Sequence, residues 1–225
     1  MRIAENVEML EVQGMGVYYP VLIWDESDVV LVDTGFPGEF DLIKAGLAAS
    51  GFAPEQVTKV ILTHQDVDHV GSAKTFRELG ATIMAYTDEV PYIQGDKPLI
   101  KLTTMEEHLD QLSEQQLGFY NMLKSLMPML AAPVDVLLTD EQVIPVCGGI
   151  RVIATPGHTP GHIALFLEKS QIAVCGDAAN IQNGELVGPA EDLTYDMDTA
   201  MKSLEVIKAL QPVGYVCYHG GYLAK

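Results

Sequence analysis

One short segment of the chain concentrates side chains that bind divalent cations. It reads His64-Gln65-Asp66-Val67-Asp68-His69 and follows an apolar run with the character of a buried strand. Alternate residues of an extended chain point to the same side, so His64 and Asp66 can face one centre, and Asp68 and His69 can turn back to it where a helix begins. Four imidazole and carboxylate groups in so short a stretch suit one or two divalent cations. The alternative is a polar loop in which Asp66 or Asp68 only caps the following helix.

A second set of candidate ligands lies in the last third of the chain. In Thr155-Pro156-Gly157-His158-Thr159-Pro160-Gly161-His162, a Pro-Gly pair before each histidine fixes the backbone and lets it approach a ligand closely. His158 is therefore a candidate metal ligand, whereas we expect His162 to hydrogen-bond behind the ligands. Asp177 and His219 each follow a short apolar run, and a carboxylate at the end of a strand can bridge two cations.

Apolar runs and turn signals predict the elements that position these side chains. Strands are expected at 7–12, 17–24, 29–32, 59–62, 82–86, 134–138, 150–154, 163–167, 172–175 and 213–217, and helices at 40–49, 72–79 and 199–210. The strand at 29–32 ends at the turn signal Asp33-Thr34-Gly35. Strands in both halves, with helices between and after them, favour two sheets covered by helices.

The segment 99–131 differs from the rest of the chain because it is rich in Leu, Met, Glu and Gln. Its apolar residues recur mostly every three or four positions, which predicts one or two amphipathic helices closed by Pro128 and Pro133. We leave three uses open: packing on the core, a lid or substrate wall with adaptable methionines, and a homodimer contact. His108, within this segment, is expected to be an exposed helix residue.

The residues in this order resemble the metallo-β-lactamase fold superfamily. The resemblance rests on Asp33-Thr34-Gly35, His64-x-Asp66-x-Asp68-His69, His158, Asp177 and His219, and it runs from about residue 7 to the end of the chain. It implies an α/β fold, a four-layer αβ/βα sandwich of two mixed sheets flanked by helices. It also implies that residues 1–225 form a single domain, with 99–131 as a helical insertion, and that a two-metal site lies at one edge of the sheets.

Carried over position by position, the resemblance also assigns the ligands. His64, Asp66 and His158 would hold the first metal ion, and Asp68, His69 and His219 the second. Asp177 would bridge both ions, while Asp33 and His162 would orient ligands from behind. The two divalent ions would be zinc by resemblance to the family.

Asp66 departs from the family pattern, which is HxHxDH. Here the second histidine of that motif is replaced by a carboxylate. The extra negative charge is expected to weaken the Lewis acidity of the site, and a harder oxygen ligand shifts preference from zinc toward iron or manganese. We therefore leave the identity of the metal open between zinc, iron and manganese.

The resemblance favours a metal-dependent hydrolase of a small molecule. In that mechanism a bridging hydroxide attacks the carbonyl of an ester, thioester, lactone or amide, one metal ion polarises the carbonyl oxygen, and Asp68 orients the nucleophile. A true β-lactamase is disfavoured because no cysteine occupies the second site. Related lactonases often carry a tyrosine where this chain has Asn180, and Tyr195 and Tyr218 are candidates to replace it. The alternatives are an iron-dependent redox enzyme acting on O₂ or a persulfide, and a non-catalytic metal-binding module.

The amino-acid composition limits the partners that this protein is expected to bind. Thirty-one acidic against 13 basic residues give a net charge of −18, which would repel nucleic acid and anionic membranes. Three widely spaced cysteines form no disulfide framework, and neither a secretory signal nor a membrane-spanning run is apparent, so a cytoplasmic location is expected.

Overall fold

Short strands and helices alternate along the chain in this computed structural model, which describes residues 1–225. The first half contains β1 (Arg2–Ala4), β2 (Val7–Met9), β3 (Val12–Gln13), β4 (Val17–Tyr18), β5 (Val21–Trp24), β6 (Val29–Val32), α1 (Phe40–Ala49), β7 (Lys59–Leu62), α2 (Val67–Val70), α3 (Ala73–Glu78), β8 (Thr82–Tyr86), α4 (Val90–Ile93), α5 (Ile100–Glu106) and α6 (Glu114–Leu130). The second half contains β9 (Val136–Leu138), β10 (Val143–Ile144), β11 (Ile150–Ala154), β12 (Ile163–Leu167), β13 (Ile172–Val174), β14 (Asn180–Gln182), β15 (Glu185–Val187), α7 (Met197–Ala209), β16 (Gly214–Cys217) and β17 (Gly221–Ala224). Single 3₁₀ turns lie at Pro54–Gln56, Leu109–Gln111 and Glu191–Leu193.

The strands form two large mixed sheets. The first has the order β1-β2-β5-β6-β7-β8-β9 and the second the order β10-β11-β12-β13-β16-β17, while β3-β4 and β14-β15 are separate two-stranded ribbons. In the first sheet β6, β7, β8 and β9 run parallel, and in the second β13 and β16 do. The two sheets and the covering helices are the expected four-layer arrangement, so the predicted fold class is confirmed.

Burial on both faces explains why the central strands are apolar throughout. In β6, Val30 and Val32 pack between the two sheets, whereas Val29 and Leu31 pack against the helices outside the first sheet. In β12 the same alternation places Leu165 between the sheets and leaves its neighbours facing the layer of α7. Successive side chains of a strand point to opposite faces, so a strand covered on both sides needs a continuous apolar run.

Most predicted elements are confirmed, and four details are wrong. The predicted strand 7–12 is interrupted at Leu10 and Glu11, and its two parts, β2 and β3, belong to different sheets. The predicted strand 17–24 is split at Pro20, which has no N–H to give to a sheet ladder. Pro128 lies inside α6 rather than at its end: it lacks the N–H that would bond to the carbonyl of Lys124, and the helix ends two residues later, at Leu130. His108 is exposed as expected, but it lies between α5 and α6 rather than inside a helix. None of the helices combines the length and the apolar composition that a bilayer crossing requires.

Candidate metal centre

Most of the candidate ligands lie at the carboxyl ends of parallel strands from both sheets, and His158 lies in the loop between the antiparallel strands β11 and β12. His64 comes just after β7 in the first sheet, and Asp177 and His219 come just after β13 and β16 in the second. Because β13 and β16 pair in parallel, their carboxyl ends lie at the same edge of the second sheet. Crevices at the carboxyl ends of parallel strands are the usual ligand sites of such sheets.

The first group of ligand atoms contains the side chains of His64, Asp66, His158 and Asp177, all within 4.8 Å of one another. Asp66 Oδ2 lies 3.1 Å from His64 Nε2 and 2.9 Å from His158 Nε2, and Asp177 Oδ2 lies 3.6 Å from the same His158 nitrogen. Asp66 directly precedes α2, but its side chain makes no hydrogen bond to the helix terminus. The helix-cap alternative for this aspartate is therefore wrong.

The second group contains Asp68, His69 and His219, also within 4.8 Å of one another. Asp68 Oδ2 lies 3.1 Å from His219 Nε2 and 3.7 Å from His69 Nε2. Asp177 lies between the two groups, with Oδ1 3.5 Å from His69 Nε2 and Oδ2 3.4 Å from His219 Nε2. All seven residues predicted as ligands thus lie around one centre, with Asp177 between the two groups.

Three buried polar atoms at this centre support cation binding. His64 Nε2, His69 Nε2 and Asp177 Oδ1 are shielded from solvent and make no hydrogen bond, although each has a neighbouring polar atom. A buried polar atom without a partner costs about 1–3 kcal/mol, so three at one centre require a compensating ligand. Imidazoles and carboxylates facing each other are the donor set that divalent transition metals take. The residues therefore fit one or two divalent cations.

Asp33 fixes the orientation of His69 from behind. Its Oδ2 accepts hydrogen bonds from His69 Nδ1 at 2.9 Å and from Thr63 Oγ1 at 2.8 Å, and its Oδ1 accepts one from the Thr63 amide at 2.9 Å. With Nδ1 committed to Asp33, His69 presents Nε2 to the centre. Asp33 adopts a left-handed backbone conformation with φ 62°, which is unfavourable for a residue other than glycine and is typical of functional sites.

His162 lies behind the centre, as expected, rather than in it. Its Nδ1 is 2.8 Å from Thr155 Oγ1, and its Nε2 accepts a hydrogen bond from the backbone N–H of Asp177 at 3.0 Å. Gly176 makes this contact possible, since it has φ +51° and a Cβ there would lie 2.7 Å from His162 Nε2. Gly157 was expected to let the backbone approach a ligand. It instead allows close packing on α7, because a Cβ at Gly157 would lie 2.3 Å from the backbone of Ala200.

The charge state of the histidines follows from their surroundings. Burial, together with the neighbouring His69, lowers the pKa of His64 to about 4, so this ring is neutral at physiological pH. Burial would also lower the pKa of His219, but hydrogen bonds and charge attraction from Asp177 and Asp68 raise it to about 10. For His69 the carboxylates of Asp33 and Asp68 likewise outweigh burial and hold its pKa well above its usual range.

Lys101, at the start of α5, reaches the centre from the segment 99–131 and was not found from the sequence. Its ammonium donates a hydrogen bond to Asp66 Oδ2 and lies 3.5 Å from His158 Nε2. Although burial opposes ionisation of Asp66, the charge of Lys101 lowers its pKa well below its usual range. Nothing in the local sequence distinguishes Lys101 from a surface lysine, because the contact depends on how α5 lies over the loop.

Glu89 is a second functional candidate that the sequence did not reveal. It is fully buried, and its Oε2 accepts hydrogen bonds from the Gln65 backbone N–H at 2.8 Å and side-chain amide at 3.0 Å. Its Oε1 accepts from Thr159 Oγ1 and the Gly161 N–H, both at 2.8 Å. Gln65 Oε1 in turn accepts a hydrogen bond from the backbone of Ile100 at 2.8 Å. One carboxylate therefore connects both ligand-bearing loops and, through Gln65, the start of α5.

Two adjoining cavities open onto the centre. The first, of about 340 Å³, is lined by five of the seven candidate ligands, all except His64 and His69, together with apolar side chains such as Phe36 and Val67. The second, of about 410 Å³, lies between α5, α6 and the 3₁₀ turn at Glu191–Leu193 and shares Lys101, Phe119, His158 and Leu193 with the first. The segment 99–131 therefore forms a wall beside the centre, which is one of the three uses left open for it.

The polar groups beside these cavities have unequal access to a substrate. Asn180 lines the first cavity and Tyr195, which is 64% exposed, lines the second. Tyr218 is buried, with its ring centroid 3.9 Å from that of His69, and its hydroxyl donates to the Asp68 carbonyl at 2.6 Å and accepts from the Gly35 N–H at 3.2 Å. Tyr218 therefore supports the ligand loop, and its hydroxyl is already committed.

The sequence profile described as the metallo-beta-lactamase superfamily matches residues 15–219. The chain belongs to this superfamily. Within it, the chain is 28% identical to a probable metallo-hydrolase of Bacillus subtilis, a similarity that covers 96% of this chain and 84% of the relative. It is 24% identical to an N-acyl homoserine lactonase of Bacillus cereus, over 83% of this chain and 73% of the relative. The resemblance predicted from the motifs is thereby confirmed.

Solved structures of the superfamily share the fold. A metallo-β-lactamase family protein from Thermus thermophilus superposes with a TM-score of 0.76 at 22% identity, over 97% of this chain and 75% of that one. A subclass B3 metallo-β-lactamase described as having an active-site glutamic acid superposes with a TM-score of 0.69 at 18% identity, over 100% of this chain and 82% of that one. At such identities the similarity shows the fold alone.

Proposed function

We propose that this protein is a hydrolase that uses two divalent cations to cleave an ester, thioester, lactone or amide of a small molecule. The observation that carries the proposal is the convergence of the unpartnered nitrogens of His64 and His69 on Asp177. The similarity to a probable metallo-hydrolase and to a lactonase supports the same class of reaction. When bound, the cations would supply polarisation of the carbonyl oxygen and activation of the attacking water.

The predicted ligands would bind the cations in two sets. His64, Asp66 and His158 would hold one cation, Asp68, His69 and His219 the other, and Asp177 both. Asp33 would keep His69 in the orientation that presents Nε2.

Asp68 would orient the attacking water, because its carboxylate lies beside the groups of the second site and its backbone carbonyl is held by Tyr218. The cavity of about 340 Å³ is large enough for a small acyl group beside the centre, and Phe36, Val67 and Leu193 give it apolar walls.

Metal analysis combined with a carbonyl-substrate panel tests this proposal. We expect nearly two equivalents of metal per chain, hydrolysis of at least one substrate class, and loss of that activity on chelation with recovery on adding the metal back. Full activity after complete metal removal would refute the mechanism. Oxygen consumption by the iron-loaded protein, without hydrolysis of any substrate in the panel, would favour the redox alternative instead.

A further inference from the structure

The candidate centre contains more carboxylates than the family pattern supplies. Asp66, Asp68 and Asp177 contribute three negative charges within one buried cluster, whereas a histidine in place of Asp66 would leave two. A buried charge is tolerated when it is paired, so the third carboxylate requires a compensating group. Lys101 is the basic side chain that contacts the cluster.

Lys101 has the geometry of a counter-charge rather than of a surface lysine. Its side chain is 23% exposed, its ammonium contacts Asp66, and it approaches the imidazole of His158. A largely buried ammonium that ion-pairs with a buried carboxylate balances its charge. The lysine is held in place because the backbone of its neighbour Ile100 donates a hydrogen bond to Gln65 in the ligand loop.

We propose that Lys101 is a positioning residue of the metal centre, which offsets the charge of Asp66 so that the pair replaces a neutral histidine ligand. When the histidines are neutral, as metal binding requires, the three carboxylates and the ammonium together carry two net negative charges, as the cluster would with histidine at position 66. The helical segment 99–131 thus contributes to the centre itself, in addition to forming the wall of a cavity. This inference rests on the proposed function, since it assumes that the cluster binds divalent cations.

The proposal predicts that removing the lysine tightens metal binding. Without its ammonium the cluster is more negative by one charge, and a positive charge close to a divalent cation no longer opposes binding. A lysine that only anchored α5 would have the opposite effect, because its loss would loosen the ligand loop and weaken binding. The sign of the change therefore separates the two roles.

The experiment measures zinc retention of full-length variants against graded chelator, by elemental analysis. We expect Lys101→Met to retain zinc at chelator concentrations about tenfold higher than the wild type does. Lys101→Arg keeps the charge and should stay within about twofold of the wild type. The matched control is Lys97→Met, which removes an exposed lysine four residues earlier in the chain. Melting of each variant with and without zinc verifies that it is folded.

A second background tests the pairing with Asp66 directly. In Asp66→His the ammonium has lost the carboxylate that holds it at the centre, so adding Lys101→Met should change zinc retention by less than about twofold. Weaker or unchanged retention in the Lys101→Met single variant, or an equal effect in both backgrounds, would overturn the proposal. A wild-type protein that binds no zinc would instead refute the proposed function, which keeps the two failures distinct.

Discussion

Metal binding to this protein is predicted to release protons. In the metal-free protein His219 and His69 are held in their protonated forms by Asp177, Asp68 and Asp33, which raise the pKa of His219 to about 10 and that of His69 well above its usual range. A histidine must lose its proton before its nitrogen can bind a metal ion. His64, with a pKa of about 4, is already neutral. We therefore expect about two protons to leave these rings at pH 7 when both sites fill.

The loss of apparent metal affinity follows from the difference between the pKa of the histidine and the pH of the experiment. At pH 8 the solution is two pH units below the pKa of about 10 for His219, so deprotonation of that ring would weaken apparent affinity about a hundredfold. The side chain is 39% exposed, and screening by water reduces the effect, so a tenfold loss is the conservative expectation. Because the raised pKa opposes binding of the metal, apparent affinity should increase with pH and approach its limit only near pH 10.

Calorimetric titration with zinc in two buffers of different ionisation enthalpy measures the number of protons released. His219→Asn should release one proton fewer than the wild type, since it removes one of the two protonated rings. His108→Asn is the matched control, because it removes an exposed histidine outside the centre. Proton release near zero in the wild type, or equal release from the wild type and His219→Asn, would refute the reasoning.

Three further substitutions probe the centre. Asp177→Asn should abolish retention of the second equivalent of metal and lower hydrolysis at least about a hundredfold, because the amide cannot bridge two cations as the carboxylate does; metal content and rate measure this, and full retention would contradict it. Glu89→Gln should lower the free energy of unfolding by about 2–3 kcal/mol, because an amide N–H₂ would face the hydrogen-bond donors of Gln65 or Thr159. Urea denaturation measures this change, and an unchanged midpoint would contradict the role of this carboxylate. Asp66→His should raise the preference for zinc over manganese in a competition experiment, because imidazole is the softer ligand, whereas an unchanged preference would count against the argument from ligand hardness.

The elements that could be predicted from the sequence are those whose pattern is local. Helix α1 is found at the predicted bounds 40–49, and β11 and β12 at 150–154 and 163–167, because apolar spacing and flanking turn residues define them. Pro128 misled the prediction, since a proline can terminate a helix or lie in its last turn. Which of these occurs depends on the packing of α6 rather than on the proline.

The same distinction applies to the site. His64, Asp177 and His219 were predictable because each closely follows a short apolar run, and the carboxyl ends of parallel strands are the usual places for ligand-binding side chains. Lys101 and Glu89 could not be predicted, because each reaches the centre from a helix or turn whose placement depends on tertiary contacts. The positions of these ligands thus follow from the order of the strands. The positions of Lys101 and Glu89, which balance charge and hold the ligand loops, depend on how the helices pack.

This division explains how an oxygen ligand can replace a nitrogen ligand within an unchanged fold. The position of Asp66 is fixed by β7 and the start of α2, and neither element depends on which ligand type stands there. What must change with the ligand is the local charge, and Lys101 lies on a segment that the two sheets do not need for their pairing. Electrostatic compensation on such a segment leaves both sheets undisturbed, since the hydrogen-bonded ladders and the apolar layers between them contain neither residue. The centre can therefore vary its charge balance independently of the architecture that assembles it.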